Sequence, residues 1–205
     1  MVYVKRRQDA GFVARSAYKL LQLADKYVLF SPHCTVIDLG AAPGGWCQAV
    51  QARCKTARLY ALDLLPLQAP LPGVAFVQGD FTDASDRARL AALLATDGGV
   101  PRADVILCDM MANTSGNAVR DAQASLDLCE AAWDFAYSML RPPSGAARGG
   151  TFLCKFFMSS EADTFRKHVL SKHFASVRAE KMDASRAGSR EQYWVCQGFK
   201  GAADE

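Results

Sequence analysis

The stretch TVIDLGAAPGGW, residues 35–46, decides the fold of this 205-residue chain. Its first five residues are apolar or β-branched except Asp38, which predicts a buried strand. A turn with three glycines follows, and a helical pattern begins at Trp46. This order of strand, glycine-rich turn and helix predicts the first unit of a parallel α/β sheet, with a ligand site at the turn.

The residues on either side repeat this alternation. Two strand-like runs near the C-terminus have no helix between them and predict an antiparallel hairpin. We therefore expect one domain over residues 1–205, a Rossmann-like, mostly parallel seven-stranded sheet with helices on both faces. The predicted strands lie at 35–39, 58–63, 74–78, 103–109, 150–157, 175–181 and 192–199, and the predicted helices at 13–26, 46–52, 85–95, 119–140 and 161–173.

The composition excludes several classes of protein. Hydrophobic residues make up 50% of the chain, charged residues make up 22%, and the mean hydropathy is −0.02, as is typical of a folded domain. No apolar run approaches the roughly 20 residues that cross a bilayer, so an integral membrane protein is excluded. The seven cysteines form no C-x-x-C pair, which favours reduced thiols inside a cell. Cysteines and histidines lack zinc-ligand spacing, so we expect no metal.

Charge is unevenly distributed along the chain. Basic residues outnumber acidic residues six to two in 1–26 and eleven to five in 141–200, whereas acidic residues lead twelve to seven in 27–140. The helix at 13–26 places Lys19 on a basic stripe opposite an apolar arc. Two basic ends beside an acidic centre indicate a polyanion-binding surface next to a separate pocket, although ordinary solvated side chains would give the same counts.

The residues at the predicted strand ends indicate a nucleoside ligand. The glycine spacing is G-x-x-x-G-G, which is neither the G-x-G-x-x-G of pyrophosphate binding nor a P-loop. Asp63 ends the second strand, where it could accept hydrogen bonds from a ribose, and Asp80 could accept from an adenine amine. A nucleoside without a pyrophosphate matches S-adenosylmethionine. The alternative for each aspartate alone is a helix cap or a turn residue.

Lys155 is unusual because it lies within the apolar run FLCKFFM, residues 152–158. An unpaired buried ammonium group is costly, so the side chain needs a partner. Asp109, at the end of the neighbouring predicted strand, is the candidate, and the alternative is a lysine that snorkels to solvent at the strand end. A lysine desolvated near another cation can also give up its proton at neutral pH and act as a base.

Five short motifs, in order between about Tyr3 and Gly201, resemble those of the FtsJ-type (RrmJ-type) ribose 2′-O-methyltransferases. They are RSAYKL (15–20), GAAPGGW (40–46), CDM (108–110), LCK (153–155) and SRAGSRE (185–191). The resemblance implies the Rossmann-like fold of S-adenosylmethionine-dependent methyltransferases and a catalytic tetrad of Lys19, Asp109, Lys155 and Glu191. It also implies cofactor contacts from Gly44, Gly45, Trp46, Asp63, Asp80 and Asp109.

The same resemblance implies the substrate. GAAPGGW and DMMANTSG (109–116) look like the branch that methylates a uridine of large-subunit ribosomal RNA, and tRNA methylation is the alternative. We expect a monomer whose partner is ribosomal RNA or a large-subunit precursor. The sequence is most similar to mitochondrial enzymes, which implies a location in the mitochondrial matrix, with a bacterial cytoplasm as the alternative. No presequence precedes Tyr3, so a mitochondrial chain would be a mature or incomplete form.

The expected reaction is in-line methyl transfer with removal of the hydroxyl proton. Lys155 is the expected base, kept neutral by Lys19 and oriented by Asp109 and Glu191. In the alternative, Asp109 steers the hydroxyl while Lys155 remains charged. RNA phosphates are expected at Arg6, Arg7, Arg15, Arg186 and Arg190.

Three parts of the domain are expected to divide this work. The helix at 13–26 binds RNA, residues 35–110 bind the cofactor, and residues 111–200 carry catalysis and further RNA contacts. The loop 141–150 is longer than the tight turn usual in the family and is predicted to lie on the surface. A dinucleotide-dependent oxidoreductase is disfavoured by the glycine spacing, and a non-catalytic ribosome-assembly factor is disfavoured by the intact tetrad.

Overall fold

The computed structural model describes residues 11–96, 101–182 and 189–201, and a seven-stranded sheet runs through its centre. Its strand order is β3-β2-β1-β4-β5-β7-β6. The strands are β1 Thr35–Leu39, β2 Arg58–Asp63, β3 Val74–Gln78, β4 Val105–Cys108, β5 Thr151–Phe157, β6 Phe174–Glu180 and β7 Glu191–Phe199.

The direction of the strands confirms the predicted fold class. Strands β1 to β5 pair in parallel, whereas β7 is antiparallel to both β5 and β6. The last strand of the chain therefore returns between two earlier ones, and β6 becomes the sheet edge. The order reverses between β1 and β4, which is where open α/β sheets bind ligands at the carboxyl ends of their strands.

The helices follow the predicted order with two differences. The first helix begins at Ala17, four residues later than predicted, and the last predicted helix contains a π-helical turn at Arg166–Leu170. No helix in the described part of the chain is long and apolar enough to cross a membrane. The helices are α1 Ala17–Lys26, α2 Gly45–Arg53, α3 Ala84–Thr96, α4 Ala118–Met139, α5 Ser160–Phe165 and α6 Ser171–His173.

The segment before α1 is bound to α2. The backbone N–H of Val13 donates to Oε1 of Gln48 on α2, at 2.9 Å. Residue 45 must be a glycine at this contact, because a Cβ there would lie 2.7 Å from the Cβ of Ala14. The segment before α1 is therefore held by packing against α2, which periodicity along the chain could not reveal.

Both faces of the sheet are covered. Helices α1 and α2 pack on one face, and α3, α4 and α5 pack on the other. Leu20 of α1 and Leu153 of β5 belong to the first core, and Trp133 of α4 and Phe152 of β5 belong to the second. Neighbouring residues of β5 thus point to opposite cores, and each large buried side chain contributes about 1.5–3 kcal/mol.

The loop 141–150 lies mostly on the surface, as predicted. Its tip is a small turn in which Ser144 and Ala147 exchange backbone hydrogen bonds of 3.0 and 3.1 Å. Its end is fixed, because a Cβ at Gly149 would overlap the backbone of Phe199. The loop lies before the start of β5, at the sheet edge opposite to the carboxyl ends of the parallel strands.

Candidate active site

The carboxyl ends of the parallel strands bring polar residues together at one edge of the sheet. Asp63 is the last residue of β2, and Asp109 follows the last residue of β4. Lys155 lies near the end of β5, and Asp38 lies one residue before the end of β1. The edge therefore carries several carboxylates and one lysine.

Lys155 is held inside this edge by Asp109. The side chain of Lys155 is 8% exposed, and its Nζ lies 2.6 Å from the backbone carbonyl oxygen of Asp109. The same Nζ lies 3.3 Å from Oδ1 of Asp109. The expected carboxylate partner is therefore present, and the alternative of a lysine that snorkels into solvent is wrong.

Lys19 belongs to a second ion pair, with Glu191. Its Nζ lies 2.5 Å from Oε1 of Glu191, and the two side chains are 15% and 11% exposed. Lys19 is thus not part of a solvent-facing basic stripe, which corrects the interpretation of the first helix. The structure gives each lysine of the predicted tetrad a carboxylate of its own.

Tyr193 of β7 connects the two ion pairs. Its hydroxyl group donates to Oδ1 of Asp109 at 2.6 Å, and the Nζ of Lys19 lies 5.7 Å from the centre of its ring. Tyr193 is fully buried, and burial, followed by the charges of Asp109 and Glu191, raises its pKa well above the usual value. The hydroxyl group therefore stays protonated as a donor. The sequence contained a signal for this residue, because Tyr193 is two positions after Glu191 and shares its strand face.

The glycine-rich turn opens α2 toward the same edge. Gly44 is the N-cap of α2 with φ of 115°, and no side chain caps this terminus. The indole of Trp46 is buried, donates from Nε1 to the carbonyl oxygen of Ser16 at 3.0 Å, and packs on Tyr193. Gly44, Gly45 and Trp46 were predicted to contact the cofactor. The side chain of Trp46 faces the core. Gly45 and Trp46 can offer a ligand backbone N–H groups at a helix N-terminus, whereas the N–H of Gly44 already donates to the carbonyl oxygen of Ala41 at 2.7 Å.

The first glycine of the turn is required by packing. Gly40 has φ of 72°, and a Cβ at this position would overlap the side chain of Met110. We expected the glycines to make room for a ligand, but Met110, from the loop after β4, occupies the space beside Gly40. The turn and the loop that carries Asp109 are therefore in direct contact.

Asp63 and Asp80 also organise their own loops. Oδ2 of Asp63 accepts from the backbone N–H of Ala42, and Oδ1 accepts from that of Leu65, both at 2.8 Å. Oδ1 of Asp80 accepts from the N–H and the hydroxyl group of Thr82. Both aspartates are thus turn residues, as the alternative interpretation predicted. Each carboxylate has about four acceptor positions, so this use leaves capacity for a ligand.

Asp38 is the most deeply buried acid of the edge. The Sγ of Cys47 lies 3.2 Å from its Oδ2, whereas Oδ1 is buried without a hydrogen-bond partner. The pKa of Asp38 is raised to about 7, mainly by burial and to a smaller extent by the charges of Asp109 and Asp63, whereas the hydrogen bond from Cys47 lowers it. The acids of this edge therefore repel one another, and a cationic ligand would relieve the repulsion.

The structure describes two of the five arginines predicted to bind RNA. Arg15 and Arg190 are exposed, and Nη2 of Arg190 donates to the carbonyl oxygen of Met158 at 2.6 Å. Arg6, Arg7 and Arg186 lie outside the described residues. Within the described ranges, no group of three or more histidine, cysteine, aspartate or glutamate side chains is arranged to hold a metal ion.

Comparison with known sequences gives a consistent family. The profile of the FtsJ-like methyltransferase family matches residues 12–199. The chain is 44% identical over 198 residues to a protein of Alkalilimnicola ehrlichii, with 96% of this chain and 89% of that protein covered. It is 45% identical over 192 residues to a protein of Thiobacillus denitrificans, with 93% and 82% covered. Both relatives are named ribosomal RNA large subunit methyltransferase E.

Solved structures agree with this assignment. A ribosomal RNA methyltransferase of Plasmodium falciparum superposes with a TM-score of 0.78 at 26% identity, over 93% of this chain and all (100%) of that chain. Human methyltransferase-like protein 13, crystallised with SAH, superposes with a TM-score of 0.54 at 14% identity, over 82% and 72% of the two chains. The second likeness shows the shared fold alone.

The relatives also correct the predicted location. They are bacterial proteins, whereas the short motifs had indicated the mitochondrial matrix. The prediction of a mitochondrial protein is therefore wrong. It relied on the likeness of a few short motifs, whereas the bacterial relatives match over 96% and 93% of this chain.

Proposed function

Because the chain belongs to the FtsJ-like methyltransferase family, we propose that it methylates the ribose 2′-hydroxyl of a uridine in large-subunit ribosomal RNA. The names of the bacterial relatives support the substrate class. The observation that carries the proposal is the buried contact between Lys155 and Asp109 at the carboxyl edge of the sheet. It supports the proposal because the proposed proton-transferring group, Lys155, and the proposed orienting group, Asp109, then lie together at the expected ligand site.

S-adenosylmethionine fits the charge of this edge. Oδ1 of Asp38 is a buried acceptor without a partner, and Asp63 and Asp109 lie near enough to raise its pKa. When bound, S-adenosylmethionine supplies a methyl group on a positively charged sulfonium, together with a cationic amine. Asp63 would hold the ribose diol, Asp80 the adenine amine, and the N–H groups of Gly45 and Trp46 the carboxylate. Gly44, whose own N–H donates to the carbonyl oxygen of Ala41 at 2.7 Å, would let the ligand approach the backbone closely.

Lys155 is the proposed general base. Both of its contacts with Asp109 are acceptors, namely a carbonyl oxygen and a carboxylate oxygen. A neutral lysine has two N–H bonds and one lone pair, so the two contacts would use both hydrogens. The lone pair is then available to take the proton of the ribose hydroxyl as its oxygen attacks.

The same geometry permits the alternative assignment. A charged Lys155 would donate two hydrogens to Asp109 and a third toward the ribose oxygen. Asp109 would then orient the hydroxyl, and its Oδ1 is itself held by Tyr193 at 2.6 Å. The two assignments differ in how the rate depends on pH, because only the neutral base requires loss of a proton before the reaction.

Lys19 and Glu191 are proposed to position the substrate nucleotide. Their ion pair is nearly buried, and the ring of Tyr193 beneath Lys19 links it to Asp109. A cation held this firmly can stabilise negative charge that develops on the ribose oxygen without rearranging first. Exposed Arg15, just before α1, is placed to bind phosphates of the same RNA.

The reaction can be tested directly with a labelled methyl donor. The protein is incubated with S-adenosyl[methyl-³H]methionine and large ribosomal subunits from cells that lack this activity, and in parallel with tRNA. We expect label in the large-subunit RNA, and mapping of the modified nucleotide should place the methyl group on a uridine 2′-oxygen. Label in tRNA alone, or label on a base, would overturn the proposal.

A further inference from the structure

A surface cleft of about 310 Å³ lies beside the proposed active site. Its walls are the first turns of α4 and α5, with Val119 and Gln123 on one side and Ser160 and Glu161 on the other. Arg190, the residue before Glu191, completes the lining. Its volume lies at the lower end of the range for small-molecule sites.

The cleft and the proposed tetrad lie near the start of β7, on opposite faces of the sheet. Side chains alternate along a strand, so Glu191 and Tyr193 point to the face of α1 and α2, whereas Gln192 points to the face of α4 and α5. Phe157, the last residue of β5, pairs in register with Glu191. A strand of RNA that presents a ribose to Lys155 would therefore have a neighbouring nucleotide within reach of the cleft.

Hydrogen bonds hold the walls of the cleft in place. The hydroxyl group of Ser125 on α4 accepts from the backbone N–H of Phe157 at 3.1 Å, which fixes α4 against the end of β5. Met158 and Arg190 are joined twice, because Met158 N–H donates to the carbonyl of Arg190 and Nη2 of Arg190 donates to the carbonyl of Met158. The cleft is thus formed before any ligand binds, which reduces the entropic cost of binding.

The lining combines exposed apolar surface with hydrogen-bond acceptors. Val119 is 80% exposed and Met158, beside the cleft, is 46% exposed, although large apolar side chains are usually buried. The amide of Gln123 donates one hydrogen to Asp127 and keeps its oxygen as an acceptor. The pKa of Glu161 is lowered by its own backbone N–H and by serine hydroxyl groups, so its carboxylate is charged at neutral pH.

We propose that this cleft binds the base of a nucleotide adjacent to the target in the substrate RNA and prefers a base with an exocyclic amine. This inference rests on the proposed RNA-methylating function. The flat base would cover Val119 and Met158, and Glu161 and Gln123 would accept hydrogen bonds from the amine. The guanidinium of Arg190 has further N–H groups for the adjoining phosphate.

The acceptors distinguish between bases of the same size. Cytosine carries an N4 amine where uracil carries an O4 carbonyl, so only cytosine can donate from this position. A uracil in the cleft would instead bring its O4 carbonyl oxygen close to the carboxylate of Glu161, and two acceptors cannot form a hydrogen bond with each other. RNA is commonly recognised through single-stranded, splayed-out bases read on such edges.

The test measures binding of two labelled ribonucleotide nonamers to the full chain in the presence of SAH. One nonamer has a central uridine flanked by cytidines, and the other contains only uridine. We expect the wild-type protein to bind the first about tenfold more tightly, since one good base contact is worth about that factor. Equal affinity for the two nonamers, or no binding of either, would overturn the proposal.

Two variants, each with a matched control, test whether the preference for the cytidine-containing nonamer arises in the cleft. Val119→Glu places a charge at the cleft and should weaken binding of both nonamers, whereas Val28→Glu should not. Val28 is also highly exposed, at 89%, but lies at the opposite sheet edge, where its carbonyl oxygen accepts from Gln197. Glu161→Met should remove the preference for cytidine, whereas Glu130→Met, about three turns along α4 from Val119, should keep it.

The outcomes separate this inference from the function on which it rests. All four positions are at the surface, so we expect only small changes in melting temperature, the largest for Glu161→Met because it loses the contacts of the carboxylate with its own backbone N–H and with Ser160. If Val119→Glu and Glu161→Met bind both nonamers like the wild type while large subunits are still methylated, the cleft is not a base site and the function stands. If large subunits are not methylated at all, the proposed function fails first.

Discussion

The Nζ of Lys155 contacts two acceptors of the same residue, the backbone carbonyl oxygen of Asp109 at 2.6 Å and its Oδ1 at 3.3 Å. The carbonyl fixes the lysine to the end of β4 independently of the charge state of the carboxylate. Tyr193 holds that carboxylate from a third strand. The position of the amine is therefore determined by three strands of the sheet.

Replacement of this lysine should separate catalysis from cofactor binding. We expect Lys155→Ala to lower the rate of methyl transfer to large subunits by about 10²–10⁴-fold, because the proton-transferring group is lost. The affinity for S-adenosylmethionine, measured by calorimetry, should be unchanged. The control is Lys55→Ala, an exposed lysine after α2, which should keep full activity. Substantial turnover by Lys155→Ala would refute its assignment as the base.

Removal of the hydroxyl group of Tyr193 should lower the free energy of unfolding less than removal of its ring. Tyr193→Phe removes one hydrogen bond to Asp109, which retains its contacts with Lys155, so we expect a loss of about 1 kcal/mol in the free energy of unfolding. Tyr193→Ala leaves a cavity in a fully buried site and should cost about 3–5 kcal/mol. Urea unfolding of both variants measures the difference. Equal losses would mean that the hydroxyl group, not the packing, dominates.

The raised pKa of Asp38 predicts a pH dependence of stability. Because this pKa is about 7 in the folded chain and 3.8 as the ordinary value, the folded state favours the protonated carboxyl. The resulting stabilisation is complete below about pH 4 and is lost as the pH rises through about 7. The loss corresponds to about 4 kcal/mol.

The Asp38→Asn variant has no carboxyl group to ionise at this position, so its free energy of unfolding should not decline in this way as the pH rises. The free energy of unfolding of the variant, relative to the wild type, should therefore increase between about pH 4 and pH 8. The control is Glu130→Gln on the exposed side of α4, whose difference from the wild type should stay constant. A constant difference for Asp38→Asn as well would show that the buried carboxyl ionises as easily as a solvated one.

Binding of RNA should weaken steeply with salt, because arginine side chains are proposed to contact the phosphates. Arg15→Ala removes one such contact and should lower the slope of log affinity against log salt concentration by about 1. Arg148→Ala, in the loop 141–150 at the opposite edge, should leave the slope unchanged. The measurement is a series of binding titrations with large-subunit RNA. Affinity that hardly changes with salt would contradict the proposed basic surface.

The sequence was sufficient to predict the sheet. Patterns of apolar and β-branched residues placed each strand within about two residues of its observed limits, because buried parallel strands are nearly continuous apolar runs. The pairing of Lys155 with Asp109 was also predictable, since a buried amine needs a carboxylate and only neighbouring strand ends could supply one.

Features that depend on packing between distant segments were not predictable from periodicity or spacing. The helical pattern placed Lys19 on a basic stripe, and only the family resemblance grouped it with Glu191, which β7 brings to it from the other end of the chain. The resemblance also identified Trp46 as a cofactor contact, without indicating that its indole joins α2 to the segment before α1. The family motifs identified these positions without indicating which atoms face the ligand.

The insertion of β7 between β5 and β6 has a consequence for biosynthesis. Chains are made from the N-terminus, and early segments can fold while later ones are still being added. Glu191 and Tyr193 lie on β7, so a nascent chain can complete strands β1 to β5 and the contact between Lys155 and Asp109 before Glu191 can pair with Lys19 and Tyr193 can hold Asp109. An incomplete polypeptide released by premature termination would therefore lack part of the proposed active site even where most of its sheet had formed.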